Sequence, residues 1–193
     1  TRVLELLREG RPARDFSSDP DELEALARLQ LITSKPVLYV CNVDEEAAAA
    51  GNEYSARIAD AAAKEGAGCV VISAAIEAEV AGLGDEADRE EYLASLGLEE
   101  TGLARVIGAG YTLLDLITFF TAGPKESRAW TVRRGTLAPG AAGVIHSDFE
   151  KGFIRAETIS YADYVACGGE QGARDAGKMR QEGKDYIVKE GDV

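Results

Sequence analysis

Two uninterrupted apolar runs in the first half of the chain predict strands that are covered on both faces. The runs are residues 37–41 (Val-Leu-Tyr-Val-Cys) and residues 69–72 (Cys-Val-Val-Ile). Neither run alternates apolar with polar positions, which is typical of a parallel sheet. Between them, residues 52–64 repeat small apolar side chains at helical spacing, and Gly66 and Gly68 then end the helix. The order strand, helix, strand predicts a βαβ unit.

Helical patterns flank this unit on both sides. Asp19 and Pro20 mark a helix start, because Asp caps free N–H groups and Pro fits the first turn. Residues 85–116 carry apolar positions at helical spacing and predict a helical connector packed on the sheet. The first ten residues have the pattern of the last turns of a helix, with no cap before Thr1, so we expect the chain to be part of a longer protein.

The pattern changes after Ile117 to short strand-like segments separated by turns. Predicted strands are residues 118–121, 127–132, 153–159 (with 161–166 extending the pattern) and 185–188, and a short helix is predicted over 139–146. The turn signal at residues 189–192 predicts a returning strand after Val193. Two strands, a helix and further strands in fewer than 80 residues predict a β-grasp, ubiquitin-like domain, with Trp130, Phe119 and Phe120 in its core.

The composition is that of a soluble globular protein, with 46% hydrophobic and 28% charged residues among 193. No apolar run approaches the roughly 18 residues of a membrane helix. The charged N-terminus lacks the apolar core of a signal peptide, so we expect a cytoplasmic protein with no membrane partner. The net charge of −13 falls in the first half, where residues 1–115 hold 10 Lys and Arg against 23 Asp and Glu. That half should repel a nucleic-acid backbone.

The three cysteines, Cys41, Cys69 and Cys167, are predicted to be buried free thiols. Their odd number and the lack of a Cys-x-x-Cys spacing argue against a disulfide framework or a zinc site. Two of them lie inside the apolar runs, where free cysteine behaves as a small hydrophobic residue.

Polar residues follow both predicted parallel strands directly. Asn42 and Glu45 come after the first strand, and Ser73 and Ala74 come after the second. Ligands of open α/β sheets bind at the carboxyl ends of the strands. An amide offers a donor and an acceptor, and a carboxylate three residues later accepts from a base edge, which suits a purine pocket. The alternative is structural: Asn42 caps a turn and Glu45 starts a helix.

These motifs resemble the base-reading loops of the small GTPase fold, Asn-Lys-x-Asp and Ser-Ala. The form Asn42-Val-Asp-Glu45, preceded by Lys35-Pro-Val-Leu-Tyr-Val-Cys, is similar to the YchF family of Obg-related P-loop NTPases. The second half resembles the TGS domain of that family in residues 118–125, 130–135, 145–157 and 183–192.

The resemblance implies an α/β fold with two parts: the C-terminal part of a P-loop NTPase (G-domain) parallel sheet, then a β-grasp TGS domain. On this basis we divide the chain into the end of a helical arm with its returning helix (1–30), the C-terminal portion of the G domain (31–83), a helical connector (84–115) and the TGS domain (116–193). The phosphate loop and the Mg²⁺-binding segments of the family are expected before residue 1.

The resemblance also implies a function: a cytosolic, ribosome-associated nucleoside-triphosphatase that prefers ATP over GTP and uses Mg²⁺ in the full-length protein. Asn42 would contact the adenine edge, Val43 would pack on the base plane and Glu45 would shape the pocket. Ser73 and Ala74 would supply backbone contacts. No catalytic residue or metal ligand is assigned to this chain, which alone is expected to be inactive.

Two further sequence features, residues 172–178 and His146, are not assigned a functional role. Residues 172–178, Gly-Ala-Arg-Asp-Ala-Gly-Lys, fit the spacing of a phosphate loop, but Met179 follows where a hydroxyl is needed for Mg²⁺. The polar residues after Lys178 could not form a buried helix. His146 has no nucleophile beside it in the sequence, so we expect it at a helix end or in the core.

An alternative function is a non-catalytic TGS-containing module that binds ribosomal RNA or protein. Five basic residues of the second half could line one face for this purpose: Arg128, Arg133, Arg134, Lys151 and Arg155. The competing interpretation is an ordinary solvated strand face. The RNA contact is suggested by analogy with other TGS domains.

Overall fold

The apolar runs of the first half pair as parallel strands. The computed structural model describes residues 2–193, which divide into two compact units after Leu113. The elements of the first unit are α1 (Arg2–Arg8), α2 (Pro20–Arg28), β1 (Leu38–Asn42), α3 (Glu53–Lys64), β2 (Gly68–Ile72), α4 (Ala74–Gly82), α5 (Glu86–Ser95) and α6 (Gly102–Leu113). Short 3₁₀ turns occupy Ala13–Asp15, Ile32–Ser34 and Glu45–Ala47.

The predicted βαβ unit is present, with α3 between the two strands. Leu38 pairs with Gly68 and Asn42 with Ile72 in parallel register. Helix α3 begins where the sequence indicates, because Asn52 and Ser55 form a reciprocal capping box. Gly66 follows the helix at φ +65°, a conformation that glycine adopts without strain.

Helices α4 and α5 pack beside the loop that follows β1. A buried cluster joins Ala48 of that loop to Ile76 and Val80 of α4 and to Leu93 and Leu98 of the α5 region. This cluster anchors the polar loop at the end of β1, which places the candidate site on a packed support.

The second unit is built on an antiparallel ribbon. Its elements are β3 (Leu116–Ala122), β4 (Ser127–Arg133), α7 (Ala138–Ile145), α8 (Ser147–Lys151), β5 (Ala156–Thr158), α9 (Tyr161–Ala166), α10 (Glu170–Asp175) and β6 (Arg180–Glu182). β3 pairs with β4, and β5 pairs with β6, both antiparallel. Ile117, Phe119 and Val132 of the ribbon are buried with Ala141 of α7, and Trp130 is partly buried against them.

Several second-unit predictions are wrong in detail. Residues 161–166 form helix α9 instead of extending a strand, because Ser160 caps the helix and exchanges hydrogen bonds with Asp163. Residues 185–188 form no continuous strand; Ile187 makes an isolated bridge to Leu137. The strand predicted over 153–159 is confined to β5, and its partner β6 was not predicted.

The cysteines are half-buried, whereas the sequence predicted buried thiols. All three are free, as expected. Cys41 and Cys69 lie on the same face of the parallel pair with their sulfur atoms 3.8 Å apart. Burial, followed by the neighbouring Cys41 thiol, raises the pKa of Cys69.

Among residues 2–193, none of the helices has the length and apolar character needed to span a bilayer.

Candidate functional site

The polar loops after β1 and β2 leave the same edge of the parallel pair. The register ends with Asn42 opposite Ile72, and the backbone N–H of Val43 donates to the Ile72 carbonyl at 2.9 Å. The chain then turns into the 3₁₀ turn Glu45–Ala47 on one side and into α4 on the other. Parallel strands therefore bring the two predicted motifs together.

A direct hydrogen bond connects the two loops. The side-chain oxygen Oδ1 of Asn42 accepts from the backbone N–H of Ala74 at 2.9 Å. Asn42 and Ala74 are both exposed. The Asn42 amide nitrogen Nδ2 has no hydrogen-bond partner in the described part of the chain, so its two donors are available to a ligand.

Ser73 lies beneath this contact and is 2% exposed. It occupies the N-cap position of α4 without making a side-chain cap. Its hydroxyl oxygen is buried and has no partner among the described residues. The Ala74 N–H, a predicted backbone contact to a base, donates to Asn42 Oδ1 in this structure.

Val43 and Glu45 differ in exposure. Val43 is only 9% exposed, so its side chain packs inside the first unit and is not open to a base plane in the way that was predicted. Glu45 is exposed and starts the 3₁₀ turn, as the structural alternative supposed. Its carboxylate makes no hydrogen bond or ion pair with another described residue. Glu45 thus offers a free acceptor three residues after Asn42.

Glu77 of α4 connects this helix to the start of α6, and the sequence did not predict this role. Its two carboxylate oxygens accept from the backbone N–H groups of Gly102 (2.5 Å) and Leu103 (3.1 Å), which caps the start of α6. Residue 102 must be small, because a Cβ there would lie 2.9 Å from Glu77 Oε1 and 2.9 Å from Ile72 Cγ2. The residues are 25 apart in the chain, so no local pattern reveals the cap.

Tyr92 lies near the carboxylates of Glu79 and Glu45. Its hydroxyl donates to Glu79 of α4. This hydrogen bond, then burial, then the negative charges of Glu79 and Glu45 raise the pKa of Tyr92 to about 12. The protonated phenol therefore remains a donor at neutral pH.

The five predicted basic residues do not share one face. Side chains alternate along a strand, so Arg128 lies on the Trp130 face of β4 and Arg133 on the opposite face. The Arg128 guanidinium stacks over the Trp130 ring at 4.2 Å. Arg134 pairs with Asp115 at 3.1 Å and Arg155 donates to Gln181 at 3.2 Å. Lys151 is exposed at the end of α8.

The two remaining candidates from the sequence are the glycine-lysine segment (172–178) and His146. The first four residues of the glycine-lysine segment (172–175) lie in α10, which follows helix α9 and not a strand, so the segment lacks the context of a phosphate loop. His146 is exposed at the N-cap of α8 and its Nδ1 accepts from the Asp148 N–H at 3.2 Å, which confirms the expected helix-end position. Within residues 2–193, no group of three or more His, Cys, Asp or Glu side chains is arranged to hold a metal ion.

Comparisons with known proteins point to one family. Residues 116–193 match the family model YchF-GTPase_C, described as a protein of unknown function (DUF933). The whole chain is 53% identical over 192 residues to "Ribosome-binding ATPase YchF" of Haemophilus influenzae and covers 52% of it. It is 55% identical over 181 residues to the protein of that name from Escherichia coli O157:H7, covering 94% of this chain and 49% of the relative.

A solved structure agrees with these relatives. The structure of the Schizosaccharomyces pombe YchF GTPase superposes with a TM-score of 0.83 at 33% sequence identity. The match covers 99% of this chain and 52% of that one. The chain therefore spans about half the length of the relatives it matches.

Proposed function

Because this chain belongs to the YchF family of Obg-related P-loop NTPases, we propose that its β1 and β2 loops bind the base of a purine nucleoside triphosphate. In the longer protein, with Mg²⁺, the nucleotide is hydrolysed, and ATP is preferred over GTP. The names of the relatives, ribosome-binding ATPase and YchF GTPase, support this class of activity. A ribosome-associated protein of this kind works in the cytoplasm.

The hydrogen bond between Asn42 and Ala74 carries the proposal. It fixes which end of the Asn42 amide is the acceptor, because Oδ1 is held by the Ala74 N–H at 2.9 Å. The other end, Nδ2, is left as a donor. Every purine presents an acceptor at N7, so this donor selects a purine without separating adenine from guanine.

Glu45 supplies the discrimination between the two purines. Beside N7, adenine has an exocyclic amine that donates, whereas guanine has the oxygen O6, which accepts. A free carboxylate accepts from an amine and repels an oxygen. The unpaired Glu45 therefore favours adenine at the edge that Asn42 reads.

The remaining predicted residues hold the loops. Val43 locks the end of β1 to β2 through its 2.9 Å bond to Ile72 and buries its side chain, so we assign it to the support of the site. Ser73 places a buried hydroxyl without a protein partner beneath Ala74.

A competition experiment tests the proposal. A ribose-labelled fluorescent ATP is titrated into the 193-residue protein and displaced by ATP, GTP and CTP. We expect displacement in the order ATP, GTP, CTP, since CTP lacks the N7 acceptor. Equal displacement by CTP would refute base recognition. A phosphate-release assay on the same protein should show no robust turnover, because phosphate positioning and metal supply most of the catalysis of phosphoryl transfer.

We further propose the domain organisation that follows from this function. Residues 31–83 correspond to the C-terminal portion of a G domain, preceded by the end of a helical arm (1–30) and followed by a connector (84–115). Residues 116–193 correspond to a TGS domain of the β-grasp type. The β3–β4 ribbon with α7 packed against β4 supports this assignment.

A second candidate function is binding of ribosomal RNA through the second unit. The observation that favours it is the Arg128 guanidinium stacked on Trp130, since planar cation and aromatic pairs contact bases and phosphates. Arg134, Lys151 and Arg155 would add phosphate contacts, whereas Arg133 lies on the face of β4 opposite Arg128. In ribosome co-sedimentation of the whole chain, Arg128→Glu should weaken binding, while Lys184→Glu, an exposed control, should leave it unchanged. Equal losses for both variants would argue against a specific surface.

A further inference from the structure

The outer edge of β2 is an open hydrogen-bonding surface. Gly68 donates to Val37 and Ile72 accepts from Val43, so residues 68, 70 and 72 face β1. The peptide groups of Cys69 and Val71 consequently face away from β1. Neither residue makes a backbone hydrogen bond on that side with any described residue. An unpaired strand edge of this kind is a template for another extended chain.

A hollow of about 520 Å³ is lined by β2, by α6 and by residues 49–51 of the loop after β1. The strand contributes Cys69 and Val71 to it, and the helix contributes Ala104, Arg105 and Gly108. The small helix residues leave space beside the strand: a Cβ built on Gly108 meets nothing within 4 Å. We call this hollow the β2 groove.

Arg105 is unpaired in the β2 groove. Its Nε atom is buried without a hydrogen-bond partner, and its guanidinium makes no ion pair with a described residue. Arginines elsewhere in the same acidic unit do find carboxylates, such as Arg14 with Glu65 and Arg28 with Glu24. Buried polar groups normally have a hydrogen-bond partner, whereas the partly buried Arg105 guanidinium lacks an acceptor. A carboxylate from a binding partner matches the parallel N–H donors of a guanidinium.

We propose that the β2 groove binds an extended peptide segment that adds to the edge of β2 and places a carboxylate on Arg105. The row of free peptide groups at Cys69 and Val71 matches a polypeptide strand and no small anion. The charge of Arg105 selects an acidic side chain at one position of that strand. Glu100 also lines the groove and repels a second acid at its own end, which gives the site a polarity.

This inference is independent of the proposed nucleotide site. The groove is also lined by Ala49, Ala50 and Gly51 of the loop after β1, but Asn42, Glu45, Ser73 and Ala74 are not among its lining residues. Its test therefore requires no nucleotide, and a negative result leaves the base site untouched.

The test uses random heptapeptides displayed on phage and selected on the 193-residue protein. Selected peptides should carry Asp or Glu at one position, and their affinity should fall at least tenfold for Arg105→Gln and Gly108→Leu. Leucine at 108 fills the groove from a position with open space. Arg57→Gln, an exposed arginine on α3, is the control and should bind as the wild type does.

Two further readouts separate binding from folding. The melting temperature of Arg105→Gln should match the wild type, because Arg105 makes no side-chain bond to lose. Hydrogen exchange of the Cys69 and Val71 amides should slow when a selected peptide is added. The proposal is overturned if selection enriches no peptide over the Gly108→Leu protein, if the peptides show no acidic position, or if those two amides are unaffected.

Discussion

Asn42 and Ala74, which lie 32 positions apart in the chain, are joined by a hydrogen bond of 2.9 Å from the Ala74 backbone N–H to Asn42 Oδ1. The bond ties the loop after β1 to the first turn of α4. It also orients an amide whose second end is free to meet a ligand. This contact within the protein therefore fixes which end of the Asn42 amide accepts and which end donates at the candidate base site.

Asn42→Asp separates these two roles. A carboxylate oxygen can still accept from Ala74, but the side chain no longer donates. We expect the free energy of unfolding to change by less than about 0.5 kcal/mol and purine affinity to fall about tenfold or more. Asn42→Ala should lose the same affinity and also about 1 kcal/mol of stability. Urea unfolding and nucleotide titration measure both, and wild-type affinity in Asn42→Asp would contradict the assigned donor.

Glu45→Gln should narrow the preference for ATP over GTP. Glutamine can donate to guanine O6 as well as accept from the adenine amine, so the ratio of the two affinities should fall by about tenfold. Glu46→Gln, the adjacent exposed residue, removes the same charge and should keep the ratio. An unchanged ratio in Glu45→Gln would remove this residue from base discrimination.

Glu77→Ala should destabilise the first unit. Two backbone N–H groups at the start of α6 lose their acceptor, which we expect to lower the free energy of unfolding by about 1–3 kcal/mol. Gly102→Ala should also destabilise, since its Cβ would crowd Glu77 and Ile72. Glu90→Ala, an exposed control on α5, should change stability by less than about 0.5 kcal/mol. Urea unfolding that ranks Glu90→Ala with Glu77→Ala would refute the capping role.

The raised pKa of Tyr92 should make the free energy of unfolding depend on pH above pH 10. Its pKa of about 12 lies above the usual value of 10.0 for a tyrosine, so the folded state holds the phenol proton more tightly. The stabilisation is complete below pH 10 and is lost as the pH rises from 10 to 12. The difference in unfolding free energy between the wild type and Tyr92→Phe should therefore be constant to pH 10 and then shrink. A constant difference up to pH 11.5 would contradict the raised pKa.

Asp192 should be a major stabiliser of the second unit. It is 5% exposed and accepts from the Tyr186 hydroxyl at 2.7 Å, the Lys189 N–H at 2.9 Å and Arg180 at 3.2 Å. We expect Asp192→Asn to cost about 1.5–3 kcal/mol and Tyr186→Phe about 1 kcal/mol. The neighbouring exposed change Asp185→Asn is the control. Chemical unfolding followed by Trp130 fluorescence reports on this unit, and a neutral Asp192→Asn would contradict the account.

The sequence reveals much of the first unit because its signals are local. Long apolar runs indicate β1 and β2, and the Asn52 cap marks the start of α3 within one residue. Parallel pairing then brings the Asn42 and Ser73 loops to one edge. Contacts between distant residues escape such reasoning. The Glu77 cap on Gly102 and the burial of Val43 depend on tertiary packing.

In the second unit, the local sequence pattern predicts the elements less well. β6 (Arg180–Glu182) consists of three polar residues, and only its partner β5 makes it a strand. Residues 161–166 look strand-like by composition, yet the Ser160–Asp163 cap makes them a helix. That Ser-x-x-Asp pattern is a readable signal that outweighs the alternation of the side chains.

The most direct measurement is a ¹H–¹⁵N spectrum of the 193-residue protein during titration with ATP and, separately, with CTP. The account predicts that the Asn42 side-chain amide and the Ala74 backbone amide shift saturably with ATP and remain in place with CTP. If ATP binds while both signals stay fixed, or if CTP moves them equally, the base is not recognised by Asn42.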